Sequence, residues 1–385
     1  METQNLREQK GLEIAHKESQ VTRMDETSYK VHSQSQNVEY AVCLSEDEWH
    51  CECPDHRFRG VKCKHVFAVE FSIALRNAVG KVRIEPIEIT TKCIYCGSDQ
   101  IVKNAIRHNR RGDIQRYRCK ACSKRFSINI GFEKMRATPQ VVTSAMQLYF
   151  TGESLRNVQK FLKLQGVEIN HVTVLRWIRK YVKLMEGYLE KMKPNVSDTW
   201  RADELYVKIK GNMKYLFAVM DDETRFWIAQ EIAETKDRHD ARKLLQMAKE
   251  ATGKTPKTFI TDGLPAYHDA YKKEFWTLKG PRTEHVRHIT IRGDRNNNKM
   301  ERMNGEVRDR EKVMRGLKTK DTAILSGYQL FHNYIRPHEG LNGKTPAQAC
   351  GIEIEGNNKW ITLIQNSINS KRKASPDVQH EEPSP

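Results

Sequence analysis

Apolar residues recur at helical spacing through VVTSAMQLYFTG (141–152), LRNVQKFLKLQG (155–166) and NHVTVLRWIRKYVKLMEGYL (170–189). This predicts three helices with turns at Gly152 and Gly166, the first starting at Thr138-Pro139. After Lys193-Pro194 the period changes. TWRADELYVKIKG, MKYLFAVMDDETR and FWIAQEIAE predict three antiparallel strands in succession, followed by a helix (DRHDARKLLQMAKEATG), a fourth strand (TFITDG), a helix (PAYHDAYKKEF), a short strand (HVRHIT) and a helix containing NKMERMNGEVRDREKVM. Toward the start, VEYAVCLSEDEWHCECPDHRF predicts two short strands joined by the acidic turn SEDE, and VKCKHVFAVEFSIALRNAV a helix. The linker GKVRIEPIEIT leads to an alternating stretch, IVKNAIRHNRRGDIQRYRC, with NRRGD as a hairpin tip. Residues 1–35 are polar with little periodicity and are expected to be mostly disordered or loosely helical; 356–385, polar and Pro-rich at its end, is expected to be a flexible tail.

The chain is a multi-domain α+β protein on this pattern, since 385 residues exceed one ordinary domain. Charge narrows the partner. Lys+Arg total 66 against 49 Asp+Glu, a formal charge of +17, and residues 91–190 alone carry 19 basic and 7 acidic side chains. Such a balance suits a polyanion, nucleic acid first, better than an acidic metabolite. No apolar run reaches membrane-spanning length and the first residues lack the apolar core of a secretory signal, so a soluble, intracellular protein is expected.

Reduced thiols are then the rule, and seven of the nine cysteines fall into two ligand-like clusters, leaving Cys43 and Cys350 over. Cys93, Cys96, Cys119 and Cys122 form CxxC-x22-CxxC, two knuckles brought together by a hairpin, which predicts a four-thiolate structural zinc site in a ribbon spanning 90–130. Cys51, Cys53, Cys63 and His65 form CxC-x9-CxH, an arrangement that resembles the SWIM-type zinc finger, here over 36–82; His56 is a candidate substitute ligand or a solvated loop histidine. Two structural Zn²⁺ ions are expected, and neither site leaves an obvious open position for catalysis.

The three helices of 136–192 read as a helix-turn-helix. In the third, His171, Thr173, Arg176, Arg179 and Lys180 supply polar and basic side chains for a DNA groove, while Val174, Leu175 and Ile178 suit a buried face.

Three acids stand on separate elements of 196–355: Asp203 in the first strand, Asp262 at the end of the fourth and Glu301 on the late helix. Three meandering strands followed by alternating helix and strand is the order of a ribonuclease-H-like α/β domain, a mixed five-stranded sheet flanked by helices, in which these acids can meet. Converging carboxylates are what two Mg²⁺ or Mn²⁺ ions require for phosphoryl transfer. Other acids compete. Asp294 is a loop acid that could replace Glu301, Asp221 and Asp222 read as a strand turn, and Glu204 is expected to point to the opposite sheet face from Asp203. Glu306, Asp309 and Glu311, interleaved with Arg302, Arg308, Arg310 and Lys312, read as a salt-bridged helix surface. Gly263 allows a close backbone approach.

From about Trp200 to Ile352 the chain resembles the catalytic domain of insertion-sequence DDE transposases, relatives of retroviral integrases, through WRADELYVKIKG, FITDGLPAY, NNNKMERMNGEVRDREKVMRGLK and FHNYIRPHEGLNGKTPAQACGI. The resemblance implies metal-dependent hydrolysis at transposon ends and joining of the freed 3′-hydroxyl to target double-stranded DNA. It also implies action as a homo-oligomer on DNA in a prokaryotic cytoplasm, associated with the nucleoid. Asn304 and Arg308, on the face of Glu301, and Arg336 and His338 of the RPH segment become candidate DNA contacts, with packing the equal alternative for the last two. A DNA-binding regulator without chemistry and a nuclease without joining share the same motifs.

Overall fold

The computed structural model describes the chain apart from residues 1–4, 18–19, 25–26, 35–37, 46–47, 79–81, 88–91, 110–111, 128–129, 134, 136, 279–281, 288–297, 315–316, 318–322 and 375–385. Two compact units result, Met1–Lys81 and Val82–Pro385.

The first unit runs α1 (Leu6–His16), β1 (Val21–Arg23), β2 (Ser28–His32), β3 (Glu39–Ser45), β4 (Glu48–Cys51), α2 (Pro54–Arg59) and α3 (Lys64–Ala78). Its four strands form an antiparallel sheet in chain order. The expected disorder of residues 1–35 is corrected here: α1 takes the helical alternative, and β1 and β2 are strands that the pattern does not predict. Sparse apolar residues suffice when all point one way: Ile14, Tyr29 and Val31 are buried in one core with Val42, Val66 and Val69. Gly11 lets α1 lie against α3, since a Cβ there would stand 2.5 Å from that of Phe67. Polar composition concealed this one-sided burial.

The second unit opens with β5 (Val82–Ile84) and a three-stranded antiparallel ribbon, β6 (Ile101–Asn109), β7 (Gly112–Cys119) and β8 (Arg125–Ser127). Arg110 and Arg111 of the predicted hairpin tip lie outside the described residues. Three helices follow, α4 (Pro139–Thr151), α5 (Leu155–Leu164) and α6 (His171–Leu189). Each starts on a side-chain cap, Thr138, Ser154 and Asn170 respectively, which satisfies an amide the first turn leaves open. Gly152 and Gly166 both take positive φ at the intervening turns, the conformation glycine adopts without strain.

The large sheet contains β9 (Thr199–Ile209), β10 (Asn212–Asp221) and β11 (Trp227–Ala233), then after α7 (Arg238–Thr252) β12 (Thr258–Thr261), and after α8 (Pro265–Glu274) β13 (Glu284–Arg287). Strand order is β11-β10-β9-β12-β13, antiparallel among the first three and parallel from β9 through β13. The first and fourth strands of this half are neighbours, as the sequence predicts. Helix α9 (Asn298–Met314) lays buried Met300, Met303 and Val307 on this sheet.

The remainder is α10 (Ala323–Leu330), a π-turn (Phe331–Ile335), a short 3₁₀ turn (Glu339–Leu341), α11 (Pro346–Ala349), β14 (Ile352–Ile354) and α12 (Lys359–Ala374). The predicted flexible tail from 356 is therefore corrected as far as Ala374, the rest lying outside the described residues: α12 is ordered because Trp360, Leu363 and Ile364 are buried. Trp360 stacks on Phe150 of α4 at 5.7 Å and on Phe331 at 6.4 Å. Phe150 and Phe331 stack in turn at 6.1 Å, so α4 to α6, the large sheet and α12 share one hydrophobic core. The boundary drawn at 192–196 does not separate two cores.

Among the described residues no helix is long and apolar enough to cross a membrane. Truncating Trp360→Ala should cost about 3–5 kcal/mol in urea unfolding of the full chain. An unchanged midpoint would show that α12 is not part of the core.

Candidate active site and metal centres

Parallel pairing of β12 with β9 sets the register of the acids. Thr258, Phe259 and Ile260 lie opposite Thr199, Trp200 and Arg201, so continuing along the two strands brings Asp262 level with Asp203. One carboxylate oxygen each of Asp203, Asp262 and Glu204 lies within 4.8 Å of the others. Asp203 Oδ1 accepts from the Glu204 amide at 2.9 Å and Oδ2 from Asn304 Nδ2 at 2.8 Å. Asp262 is exposed, its Oδ1 accepting from the Leu264 amide at 3.2 Å. Gly263, at φ +100°, turns the chain there into α8.

Burial pushes the Asp203 carboxyl up to about 7, and the charges of Asp262, Glu204 and Glu301 push the same way. Burial also raises Glu204, opposed by Lys236, whose Nζ donates to Glu204 Oε1 at 2.7 Å. Tyr267, fully buried on α8, has its hydroxyl pushed upward by burial and by the neighbouring acids. A cluster so rich in negative charge favours a cation.

Glu301 stands apart from that trio. It is exposed in the first turn of α9, one turn before Asn304. The structure thus brings two of the three predicted acids together and leaves the third on the adjoining helix. Asp294 lies outside the described residues. Asp221 is fully buried and accepts from Ser197 and Thr224. Asp222 pairs with Arg201 and with Lys299 at 3.0 Å, which fastens the start of α9 to the strand carrying Asp203.

Several predicted DNA contacts are corrected. Asn304 is 1% exposed and faces β9, where it orients Asp203 instead of meeting solvent. Arg336 donates to Glu306 at 2.5 Å. His338 is buried edge-on to His332, with ring centroids 4.6 Å apart, and burial lowers its pKa to about 4; it belongs to packing, whereas the Arg336 side chain stays 35% exposed. Arg310, assigned to a charged surface, is buried over the Tyr149 ring at 4.7 Å. Arg308 is exposed on α9. On α6, Arg176, Arg179 and Lys180 are exposed and His171 and Thr173 partly so, whereas Val174 and Ile178 are buried and Leu175 partly buried. Trp177 shares that buried face.

Cys51, Cys53, Cys63 and His65 form one close group, and Cys93, Cys96, Cys119 and Cys122 another. Cys93 and Cys122 sulfurs are 3.6 Å apart, as are Cys96 and Cys119. Disulfide sulfurs would lie about 2 Å apart, whereas thiolates on a tetrahedral zinc with Zn–S of about 2.3 Å stand roughly 3.8 Å apart. His65 Nδ1 is 3.8 Å from the Cys51 sulfur and 3.9 Å from that of Cys63. His56 instead turns Nδ1 to the Val61 carbonyl at 3.0 Å, outside the ligand group.

Sequence reasoning missed Glu204, Lys236 and Tyr267 at the acid cluster. The Asp-Glu doublet of RADEL and the tyrosine five residues after Asp262 were the available signals, but only register makes them neighbours.

Comparison with known proteins agrees with the position of this site. Residues 197–338 match a family model described as a DDE domain. The chain is 29% identical over 152 residues to the transposase for insertion sequence-like element IS431mec of Staphylococcus aureus, covering 38% of this chain and 66% of the relative. The same figures hold for the transposase for insertion sequence element IS257 in transposon Tn4003 of that organism. The chain thus spans just under two thirds of these relatives' length. Among solved structures, the HTLV-2 integrase catalytic core domain in complex with magnesium matches at TM-score 0.31 and 17% identity, over 41% of this chain and 98% of that one. A simian T-cell lymphotropic virus intasome in complex with PP2A regulatory subunit B56 gamma matches at 0.33 and 18%, over 53% and 73%.

The raised Asp203 has a consequence for stability. The fold holds a proton near pH 7 that the unfolded chain, with an ordinary value of 3.8, releases earlier. This group's stabilising contribution is therefore complete below about pH 4 and lost as pH rises through about 7. In protein kept free of Mg²⁺ and Mn²⁺, Asp203→Asn should match wild-type stability near pH 4 and exceed it near pH 8. A pH-independent difference in urea midpoints would refute the burial.

Proposed function

We propose that this chain is a DNA transposase in which Asp203, Asp262 and Glu301 hold two Mg²⁺ or Mn²⁺ ions. The observation that carries the proposal is the convergence of the Asp203 and Asp262 carboxylates on a partly buried site that raises Asp203. The residues fit hard divalent cations, because they offer only oxygen donors and a surplus of negative charge. Such ions would activate an attacking oxygen and stabilise the leaving oxygen of a phosphodiester.

In the first step water attacks phosphorus at the transposon end, the P–O3′ bond breaks, and the end is left with a free 3′-hydroxyl. In the second that hydroxyl attacks a target phosphodiester, joins to its phosphorus and displaces the target strand's 3′ oxygen. Asn304 holds Asp203 in place by donating to Oδ2, while the Glu204 amide donates to Oδ1. Lys299, bonded to Asp222 at 3.0 Å, holds the turn of α9 from which Glu301 extends.

The DNA-recognition face in this proposal is α6, where Arg176, Arg179 and Lys180 are exposed beside His171 and Thr173, with Arg308 an added contact on α9. The thiolate clusters act as two structural zinc sites that shape the ribbon and the first unit. Two copies are needed to bring two transposon ends together, and the chemistry takes place on cytoplasmic, nucleoid-associated DNA.

The decisive assay incubates full-length protein with labelled inverted-repeat ends, plasmid target and Mg²⁺ or Mn²⁺. Joined products are expected from wild type and should fall by about a hundred- to a thousandfold in Asp262→Asn, the scale on which removed electrostatic groups act. Binding with no nicking would replace the enzyme by a regulator, and nicking without joining would replace it by a nuclease. Elemental analysis should return two zinc ions per chain, and Cys119→Ser one; a single ion in wild type would remove one of the two sites.

A further inference from the structure

Glu204 lies beside the proposed catalytic pair. Adjacent strand residues face opposite ways, and their partners confirm this: Asp203 reaches Asn304 on α9, whereas Glu204 meets Lys236. Both carboxylates nonetheless approach Asp262. The reason is local. Strand β12 ends at Thr261 and Gly263 turns the chain away, so β9 runs on past its parallel partner. Asp262 therefore stands at an edge that side chains from either face can reach.

The state of Glu204 is unusual. Its side chain is only 3% exposed. Oε1 takes the Lys236 bond at 2.7 Å, while Oε2 is buried with no hydrogen-bond partner. A buried carboxylate oxygen without a donor is costly, and structures rarely keep one without use. The Tyr267 hydroxyl interacts with the Glu204 side chain, but neither it nor Oε2 makes a hydrogen bond of ordinary geometry.

We propose that Glu204 is a fourth acidic residue of the metal site, offering Oε2 to an ion or to an ion-bound water while Lys236 holds Oε1. This inference rests on the metal-dependent function proposed above. Lys236 has its own anchorage, standing 5.1 Å over the rings of both Tyr206 and Tyr215, whose centroids are 4.7 Å apart. The carboxylate is thereby restrained from turning toward solvent, and one of its oxygens stays committed to the ammonium.

The test is Mn²⁺ binding to zinc-loaded, full-length protein, followed by the electron paramagnetic resonance of the free ion. Mn²⁺ prefers oxygen donors and leaves thiolate sites alone. Glu204→Gln keeps shape and removes charge. It should weaken Mn²⁺ binding by about 10- to 100-fold, the range for residues that support a metal site, with thermal stability in the absence of Mn²⁺ no lower than that of wild type. Tyr267→Phe should bind Mn²⁺ as wild type does.

If Asp262→Asn weakens binding and Glu204→Gln does not, Glu204 is a bystander; this inference falls and the catalytic proposal stands. If neither change matters, the ion is held elsewhere and both fall. Equal losses of stability in Glu204→Gln and Tyr267→Phe, with Mn²⁺ affinity intact, would assign Glu204 to a structural pair with the tyrosine and also overturn the inference.

Discussion

Negative groups gathered where water is scarce repel one another, and the architecture around β9 and β12 is what sustains that repulsion. Two carboxylates brought level by parallel pairing and a third from the next residue would separate if their elements were free to move. They are not free. Asp203 is tethered by Asn304, and the strand that carries it is joined through Arg201 to Asp222, which also takes Lys299 of α9. One anion, placed just outside the cluster, thus ties the strand bearing the first acid to the helix bearing Glu301. The two cations on Asp222 compensate this frame without neutralising the site, which retains Lys236 as the ammonium paired to its trio.

Rigidity of that frame depends in turn on the shared core. Phe150, Phe331 and Trp360 form an aromatic stack from three distant parts of the sequence, and Gly327 admits the contact, since a Cβ there would meet Phe150 at 2.4 Å. Arg310 adds a second link between α9 and α4 by lying over Tyr149. The helices that carry the exposed Arg176, Arg179 and Lys180 and the helix that carries Glu301 are therefore mechanically continuous, and a shift of α4 cannot leave α9 unaffected. In a densely packed interior displacements propagate because voids to absorb them are few.

How much of this was legible in the sequence follows from which signals are local. Strand and helix periods identified β9 to β13, α4 to α6 and the order that makes the first and fourth strands neighbours, because alternation and capping are written residue by residue. Thiolate spacing identified both cysteine groups for the same reason. Elements with few apolar residues were missed as fixed structure: α1 depends on Ile14 and on the smallness of Gly11, and α12 on Trp360, Leu363 and Ile364, all set in polar surroundings that resemble a linker. Side-chain destinations were the least legible. Asn304 and His338 carry groups suited to DNA, but the packing of α9 on β9 and of His332 on His338 turns them inward. Glu204 obeys strand alternation yet still reaches Asp262, because the neighbouring strand stops one residue short of it.

On the proposed function, the donor chemistry of the chain would let it hold two kinds of metal without exchange between them. Sulfur and imidazole ligands select zinc, while carboxylates with room for water select small hard cations that keep part of their hydration. The thiolate groups are largely buried and their ligand sets are complete at four, so an ion there has no position to offer a substrate. The carboxylate group is the reverse: Asp262 and Glu301 are exposed and the donors are too few to enclose an ion. Incomplete coordination is what catalysis needs and complete coordination is what folding needs. On the proposed function the two tasks would be separated by softness of ligand and by closure of the site, structural metal belonging to the cysteine groups before α4 and phosphodiester chemistry to the carboxylates of the sheet after it.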